Sequence, residues 1–132
     1  MQFMQENAVY IFMALLIGWM IWQRVIWPRM SGVKSLSAAD YMQMRNQQHT
    51  LVDVRQLGEW QSMHASTALH IPLGEISQRM NEIPQEKPVV VICASGARSS
   101  MAATAIANAG YNEVYNFSGG MAAWRSAGLP TK

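Results

Sequence analysis

From Ala8 to Trp22 the chain reads AVYIFMALLIGWMIW without a charged side chain, and extending the run to Trp27 admits only Gln23 and Arg24. A helix of about 20 such residues rises roughly 30 Å, the thickness of a bilayer core, so the pattern predicts one transmembrane helix over 8–27. Tyr10 stands toward one end, and Trp19, Trp22 and Trp27 gather toward the other, where amphipathic rings meet lipid headgroups. Arg24 reaches the same surface by snorkelling. Arg24, Arg29 and Lys34 all follow the run. The positive-inside rule then leaves a short extracytoplasmic N-terminus, residues 1–7, and puts the rest of the chain in the cytoplasm, as a single-pass protein of the inner membrane. A cleaved secretory signal fits less well, because MQFMQEN carries Glu6 and no Lys or Arg, and no A-x-A site follows. Ala14 and Gly18 have the small-xxx-small spacing that lets two helices approach closely, a pattern that also arises readily by chance.

Pro28 predicts the end of the helix, and the polar stretch after it a linker over 28–34 leading to a globular domain over 35–132. Here short apolar runs alternate with polar segments. Ser37, with Asp40 three residues on, marks a helix start for AADYMQMR (38–45). TLVDV (50–54) predicts a strand, GEWQSM (58–63) a helical turn, and ALHIP (68–72) a second extended piece that Pro72 ends. In GEISQRMNEI (74–83) the apolar residues Ile76, Met80 and Ile83 fall on one helix face. After Pro88 comes VVVIC (89–93), a β-branched run of the kind that forms a central parallel strand covered on both faces. SSMAATAIANAG (99–110) predicts a helix with a glycine stop, EVYNF (113–117) a strand, SGG a turn and MAAWRSAG (121–128) a last helix. This alternation predicts a three-layer α/β domain with a mostly parallel sheet flanked by helices.

Composition narrows the function classes. A chain of 132 residues leaves room for one domain and an appendage, and the five Trp, eleven Met and low charged fraction of 14% reflect apolar content concentrated before residue 30. A net charge of +2 without a dense Lys/Arg run gives little to hold a nucleic-acid backbone, so no nucleic acid is expected as a partner. The single cysteine permits neither an internal disulfide nor a cysteine-cluster zinc site, and fits a reducing compartment. His49, His64 and His70 lack cysteine partners and ligand spacing, so no metal is expected, and core filling accounts for the methionines.

That cysteine, Cys93, ends the VVVIC run, and in open α/β sheets ligands bind beyond the carboxyl ends of the strands. Ala94, Ser95, Gly96 and Ala97 are small, so the backbone can curl and aim successive N–H groups at one point. Arg98 and Ser99 lead into a helix whose N-terminus adds a positive dipole end. A lone cysteine after a buried strand is more often an inert core residue. Small residues, a glycine, an arginine and a helix start are, however, the features that lower a thiol pKa, and they favour a catalytic Cys93. A drop from ~8.5 to ~6.5 raises the thiolate fraction about tenfold, but a Brønsted slope of ~0.4–0.5 returns most of that gain. The larger benefit is fixed donors around negative charge on a bound anion or on a second sulfur attached to Cys93. Arg98 has two readings, a bidentate brace to a carboxylate or a source of positive potential at the mouth, and the brace is favoured. Asp53 and Arg55 read as a loop-supporting ion pair rather than as catalytic groups.

These residues resemble the rhodanese family of sulfurtransferases over Val33 to Pro130. The active loop would be Cys93, Ala94, Ser95, Gly96, Ala97 and Arg98, with Ser99 at the helix start. LVDVR (Asp53, Arg55), Glu59–Trp60, His64 followed by HIPL (70–73), and GGMAAW (119–124) fall in the family's order. The resemblance implies a rhodanese-like domain without a cofactor, in which Cys93 accepts a sulfane sulfur as a persulfide and passes it on. It also implies that Ala94 to Ser99 line the substrate site. The expected partners are thiosulfate or persulfide donors, thiol or cyanide acceptors, the membrane through 8–27, and a membrane protein as a further candidate. Because Arg98 is the only cation in the loop, persulfide donors are expected to be favoured over the thiosulfate dianion.

The chain departs from the family where GHIPGAxNIP is usual and MHASTALHIP stands instead. Met63 and Thr67 replace glycines and His70 an asparagine, so the turn must take another shape or carry strain. Three alternatives stay open. A non-enzymatic docking or sensing module would report sulfane sulfur or oxidant through Cys93. A cysteine phosphatase would use a loop one residue longer, to enclose phosphate. An arsenate reductase would need an outside thiol, since the chain has no second cysteine.

Overall fold

The computed structural model describes residues 5–26 and 32–132, with Val25 and Ile26 described in their backbone alone. It forms two compact units, Met1–Ser31 and Gly32–Lys132. In the first, helix α1 (Ala8–Ile21, 14 residues) has no buried residue and is apolar on every side. The single helix expected over 8–27 is not formed as such. After Ile21 the backbone widens into a π-helical segment, Trp22–Ile26, whose i→i+5 bonding replaces the α pattern. The α-helical part rises only about 21 Å. Among the described residues no helix is long and apolar enough to cross a membrane. Trp27, Pro28 and the expected linker as far as Ser31 lie outside the described residues.

The second unit opens on a strand where a linker is expected: β1 (Val33–Leu36) pairs in parallel with β5 (Val114–Phe117). Only Leu36 of its four residues is buried, so this edge strand lacks the apolar run that marks the central ones. Helix α2 (Ala38–Met44) starts where expected, its Ser37 hydroxyl accepting from the Asp40 N–H at 3.1 Å. Then follow β2 (Thr50–Asp53), α3 (Leu57–Ser62), β3 (Leu69–His70), α4 (Ile76–Arg79), β4 (Val89–Ile92), α5 (Ala97–Asn108), β5 and α6 (Gly120–Ser126). The five strands are all parallel, in the order β1-β5-β4-β2-β3. The expected α/β architecture, a parallel sheet flanked by helices, is therefore present.

Alternation along β4 divides the core. Val89, Val91 and Cys93 face Ile76, Ala102, Ala103 and Ile106 on one side of the sheet, while Val90 and Ile92 face Tyr41, Phe117, Met121 and Trp124 on the other. Each buried aliphatic side chain stabilises the fold by roughly 1.5–3 kcal/mol relative to exposure. The helix expected over 74–83 divides instead into a 3-10 turn (Leu73–Glu75), α4 and a second 3-10 turn (Met80–Glu82). The Tyr111 hydroxyl bonds the Met80 and Ile83 carbonyl oxygens at 3.0 and 2.5 Å, fixing them from outside the segment.

The unusual MHASTALHIP turn takes another shape and carries no backbone strain. Met63 is extended (φ −173°), and no described non-glycine residue has a positive φ. Arg55 Nη2 donates to the Met63 carbonyl at 2.7 Å, and His64 exchanges two backbone hydrogen bonds with Lys132, at 3.2 and 2.8 Å.

Candidate active site

Strand β4 delivers Cys93 to the carboxyl end of the sheet at its centre, beneath the start of α5. The sulfur is buried, the residue being 1% exposed. Beyond it the loop closes through Gly96, whose φ of +108° is open to glycine and strained for other residues. This turn points the Gly96 N–H at the sulfur, 3.0 Å away, and the first turn of α5 brings the Ser99 hydroxyl to 3.2 Å. Burial pushes the Cys93 pKa up. Hydrogen bonding from the Ser99 hydroxyl and from the amides of Ser99, Gly96 and Ser95 outweighs it, and the thiol sits below its ordinary range. Ser95 and Ala97 are exposed at the mouth, and Ala94 is partly buried.

Arg98 is engaged by a carboxylate. Its guanidinium meets the Glu59 carboxylate with paired contacts of 2.7 and 2.9 Å, tying the active loop to α3. Hydrogen bonding from Arg98, with help from the Gln56 N–H and the nearby Arg55, holds the Glu59 carboxyl at about 2. Both side chains are about one-third exposed, so the brace is screened in part by solvent.

Asp53 and Arg55 form a separate, buried pair. Asp53 accepts from the Arg55 Nε and Nη2 at 3.0 and 2.8 Å and from its backbone N–H at 2.9 Å. With Arg55 also bonded to Met63, this pair supports the 63–65 turn. The carboxylate that reaches the active loop is Glu59, which lies 39 residues before Arg98 in sequence. The histidines are engaged nearby or at the far end of the sheet: His64 and His70 stack on Trp60, and His49 bonds the Tyr41 hydroxyl at 2.8 Å.

Two further contributors carry no sequence signal as strong as a cysteine before a small-residue loop. The start of α6 lies against the loop backbone. A Cβ on Gly120 would come within 2.4 Å of the Cys93 and Ala94 carbonyl oxygens, and the adjoining Met121 N–H donates to Cys93 O at 2.8 Å. Gly120, the second glycine of GGMAAW, therefore makes room for the loop after Cys93, while a Cβ on Gly119 would meet Ala123 instead. Asn116, on β5, accepts from the Ser99 hydroxyl at 2.5 Å and donates to Gly96 O at 3.2 Å. The only hint of it in the sequence is a polar residue interrupting the EVYNF strand.

A buried cysteine ringed by amide and hydroxyl donors, on a loop braced by a helix N-terminus and an ion pair, can stabilise an anionic sulfur. Residues 37–127 match the rhodanese-like domain, and the chain belongs to that family. The thiosulfate sulfurtransferase GlpE of Vibrio cholerae is 38% identical over 95 residues, covering 72% of this chain and 89% of that enzyme. The putative sulfur carrier protein YrkF of Bacillus subtilis is 39% identical over 74 residues, 56% of this chain, which spans only 40% of that longer protein. Among solved structures, a rhodanese-related protein from Thermoplasma volcanium superimposes with a TM-score of 0.68 at 29% identity, over 75% of this chain and 97% of that one. Sulfur transfer is thus the activity of the family at large.

Proposed function

We propose that the protein is a membrane-anchored sulfurtransferase that carries sulfane sulfur on Cys93 from thiosulfate or a persulfide to a thiol or to cyanide. The observation that carries the reading is the donor ring around one buried sulfur, with the Gly96 N–H at 3.0 Å and the Ser99 hydroxyl at 3.2 Å. In the first step the Cys93 thiolate attacks the outer sulfur of the donor. The new S–S bond forms as the old bond to that sulfur breaks, and its electron pair departs with sulfite or a thiolate. In the second step the acceptor attacks the same outer sulfur and the Cys93 thiolate leaves, giving thiocyanate or a new persulfide. The Gly96 N–H, fixed before the reaction, needs no reorganisation as charge returns to the sulfur.

Donor choice follows from Arg98. With its charge committed to Glu59, the loop offers no free cation of its own to the thiosulfate dianion, which supports persulfides as the better donors. We further propose that the N-terminal segment holds the domain at the cytoplasmic face of the inner membrane. The support is α1 itself, apolar all round and with no buried residue, together with the basic residues that follow it.

The test is intact-protein mass spectrometry of the detergent-solubilised chain after brief exposure to thiosulfate or glutathione persulfide, followed by cyanide. The expected result is a gain of one sulfur on Cys93 that cyanide removes, with thiocyanate accumulating over many cycles. A sulfur gained once and never released would indicate a sensor instead, and no gain from either donor would overturn the proposal.

A further inference from the structure

Asn116 lies on β5 beside the end of β4, in register with Val91, two residues before the cysteine. Its carboxamide is held at both ends. Nδ2 donates to the Gly96 carbonyl oxygen at 3.2 Å, which turns Oδ1 toward the Ser99 hydroxyl that donates to it at 2.5 Å. The same hydroxyl oxygen lies 3.2 Å from the Cys93 sulfur. A serine hydroxyl has one proton and serves one of these two acceptors at a time. When Cys93 is a thiol, its S–H donates to Ser99 and Ser99 donates to Asn116, so every group has a partner. When Cys93 is a thiolate, the sulfur and the Asn116 Oδ1 compete for that proton, and the Gly96 N–H at 3.0 Å is the donor the sulfur keeps in either case. A persulfide restores the first arrangement for Ser99, because the negative charge then sits on the outer sulfur.

We propose that Asn116 is a positioning residue for the cysteine chemistry: it holds the Ser99 proton while the inner sulfur is uncharged, and releases it to that sulfur as the thiolate forms. Its part in turnover rests on the sulfur-transfer reading above, but its effect on the thiol requires no sulfur donor. Asn116 acts through Ser99, so removing it favours the thiolate and removing Ser99 favours the thiol. The charged groups packed around the loop are Arg98 on α5, Glu59 on α3 and the Asp53–Arg55 pair at the end of β2. All are left unchanged in the variants that follow.

The experiment is the pH profile of iodoacetamide alkylation at Cys93 in the full-length protein in detergent micelles, with no sulfur donor present. Asn116→Ala should lower the midpoint by about half to one pH unit, the size of one net hydrogen bond. Ser99→Ala should raise it, and adding Asn116→Ala to Ser99→Ala should move it no further. Equal shifts in the two backgrounds, or none in the parent, would overturn the proposal. If Asn116→Ala does not fold, Asn116→Asp serves. Its carboxylate holds the Ser99 proton more tightly, so the midpoint should rise more in the parent than in the Ser99→Ala background, and an equal rise would refute the coupling. Absence of sulfur transfer in the parent would overturn the proposed function and leave these midpoints standing.

Discussion

At Cys93, burial and hydrogen bonding act in opposite directions, and the hydrogen bonds prevail. Alkylation should therefore reach half its maximal rate at a pH below the ordinary thiol value and fall away as the pH drops through that midpoint, which a stopped-flow profile would show. Cys93→Ser replaces one reactive atom at little cost in volume. It should abolish thiocyanate formation while the circular dichroism spectrum and melting curve stay close to the parent's, and substantial residual turnover would count against a persulfide on this residue. Glu59 offers a test of specificity. Glu59→Gln keeps the shape but frees the Arg98 charge, so kcat/KM for thiosulfate should rise relative to that for glutathione persulfide. The same pair has a signature in stability. Its carboxyl is held at about 2 against an ordinary 4.5, so the stabilisation is complete above about 4.5 and is lost as the pH falls toward 2. Allowing for solvent screening, it amounts to about 1 kcal/mol or less, and Glu59→Gln should flatten urea midpoints over that window.

Between elements, α6 approaches the loop after Cys93 closely enough to exclude a Cβ at Gly120. Gly120 has a φ of +57° and no space for a Cβ beside the Cys93 and Ala94 carbonyl oxygens, whereas Gly128 has a φ of +71° and open space around it. Gly128→Ala should cost about 1–2 kcal/mol from backbone conformation alone. Gly120→Ala must in addition displace the loop or the helix, and should cost more than about 4 kcal/mol in a urea titration. Similar losses for the two would mean that the contact is not tight. Any variant that lifts α6 also removes the Met121 N–H from Cys93 O, and with it the seat of the loop after Cys93.

For the whole molecule, the buried residues among those described run from Leu36 to Leu129, within the second unit, and the family match covers 37–127. A chain starting at Gly32 should therefore fold, take up one sulfur on Cys93 and stay in solution. The full chain should float with anionic lipid vesicles in a density gradient. Flotation of both, or of neither, would remove the case for an N-terminal anchor.

Much of this was open to inspection in the linear chain. The continuous β-branched run of β4 fixed a central strand because both its faces must be covered, and the small residues after Cys93 announced a tight loop because only they let backbone amides converge on one point. Ser37 gave the start of α2 through a purely local hydrogen bond. Local pattern failed where the deciding partner was distant. β1 has one buried residue and becomes a strand only by pairing with β5, some eighty residues later. The 74–83 helix is split where Tyr111 bonds two of its carbonyls, and the 8–27 run, though apolar, changes its helical type after Ile21. At the site, the sequence by itself determined the candidate cysteine and the small-residue loop that follows it, since these depend on neighbouring residues. Only the tertiary structure decided that Glu59, rather than Asp53, binds Arg98, that Gly120 must lack a side chain, and that Asn116 accepts a hydrogen bond from Ser99. Those choices depend on which distant side chains the parallel sheet brings within hydrogen-bond distance at the carboxyl end of β4, and spacing along the chain does not encode them.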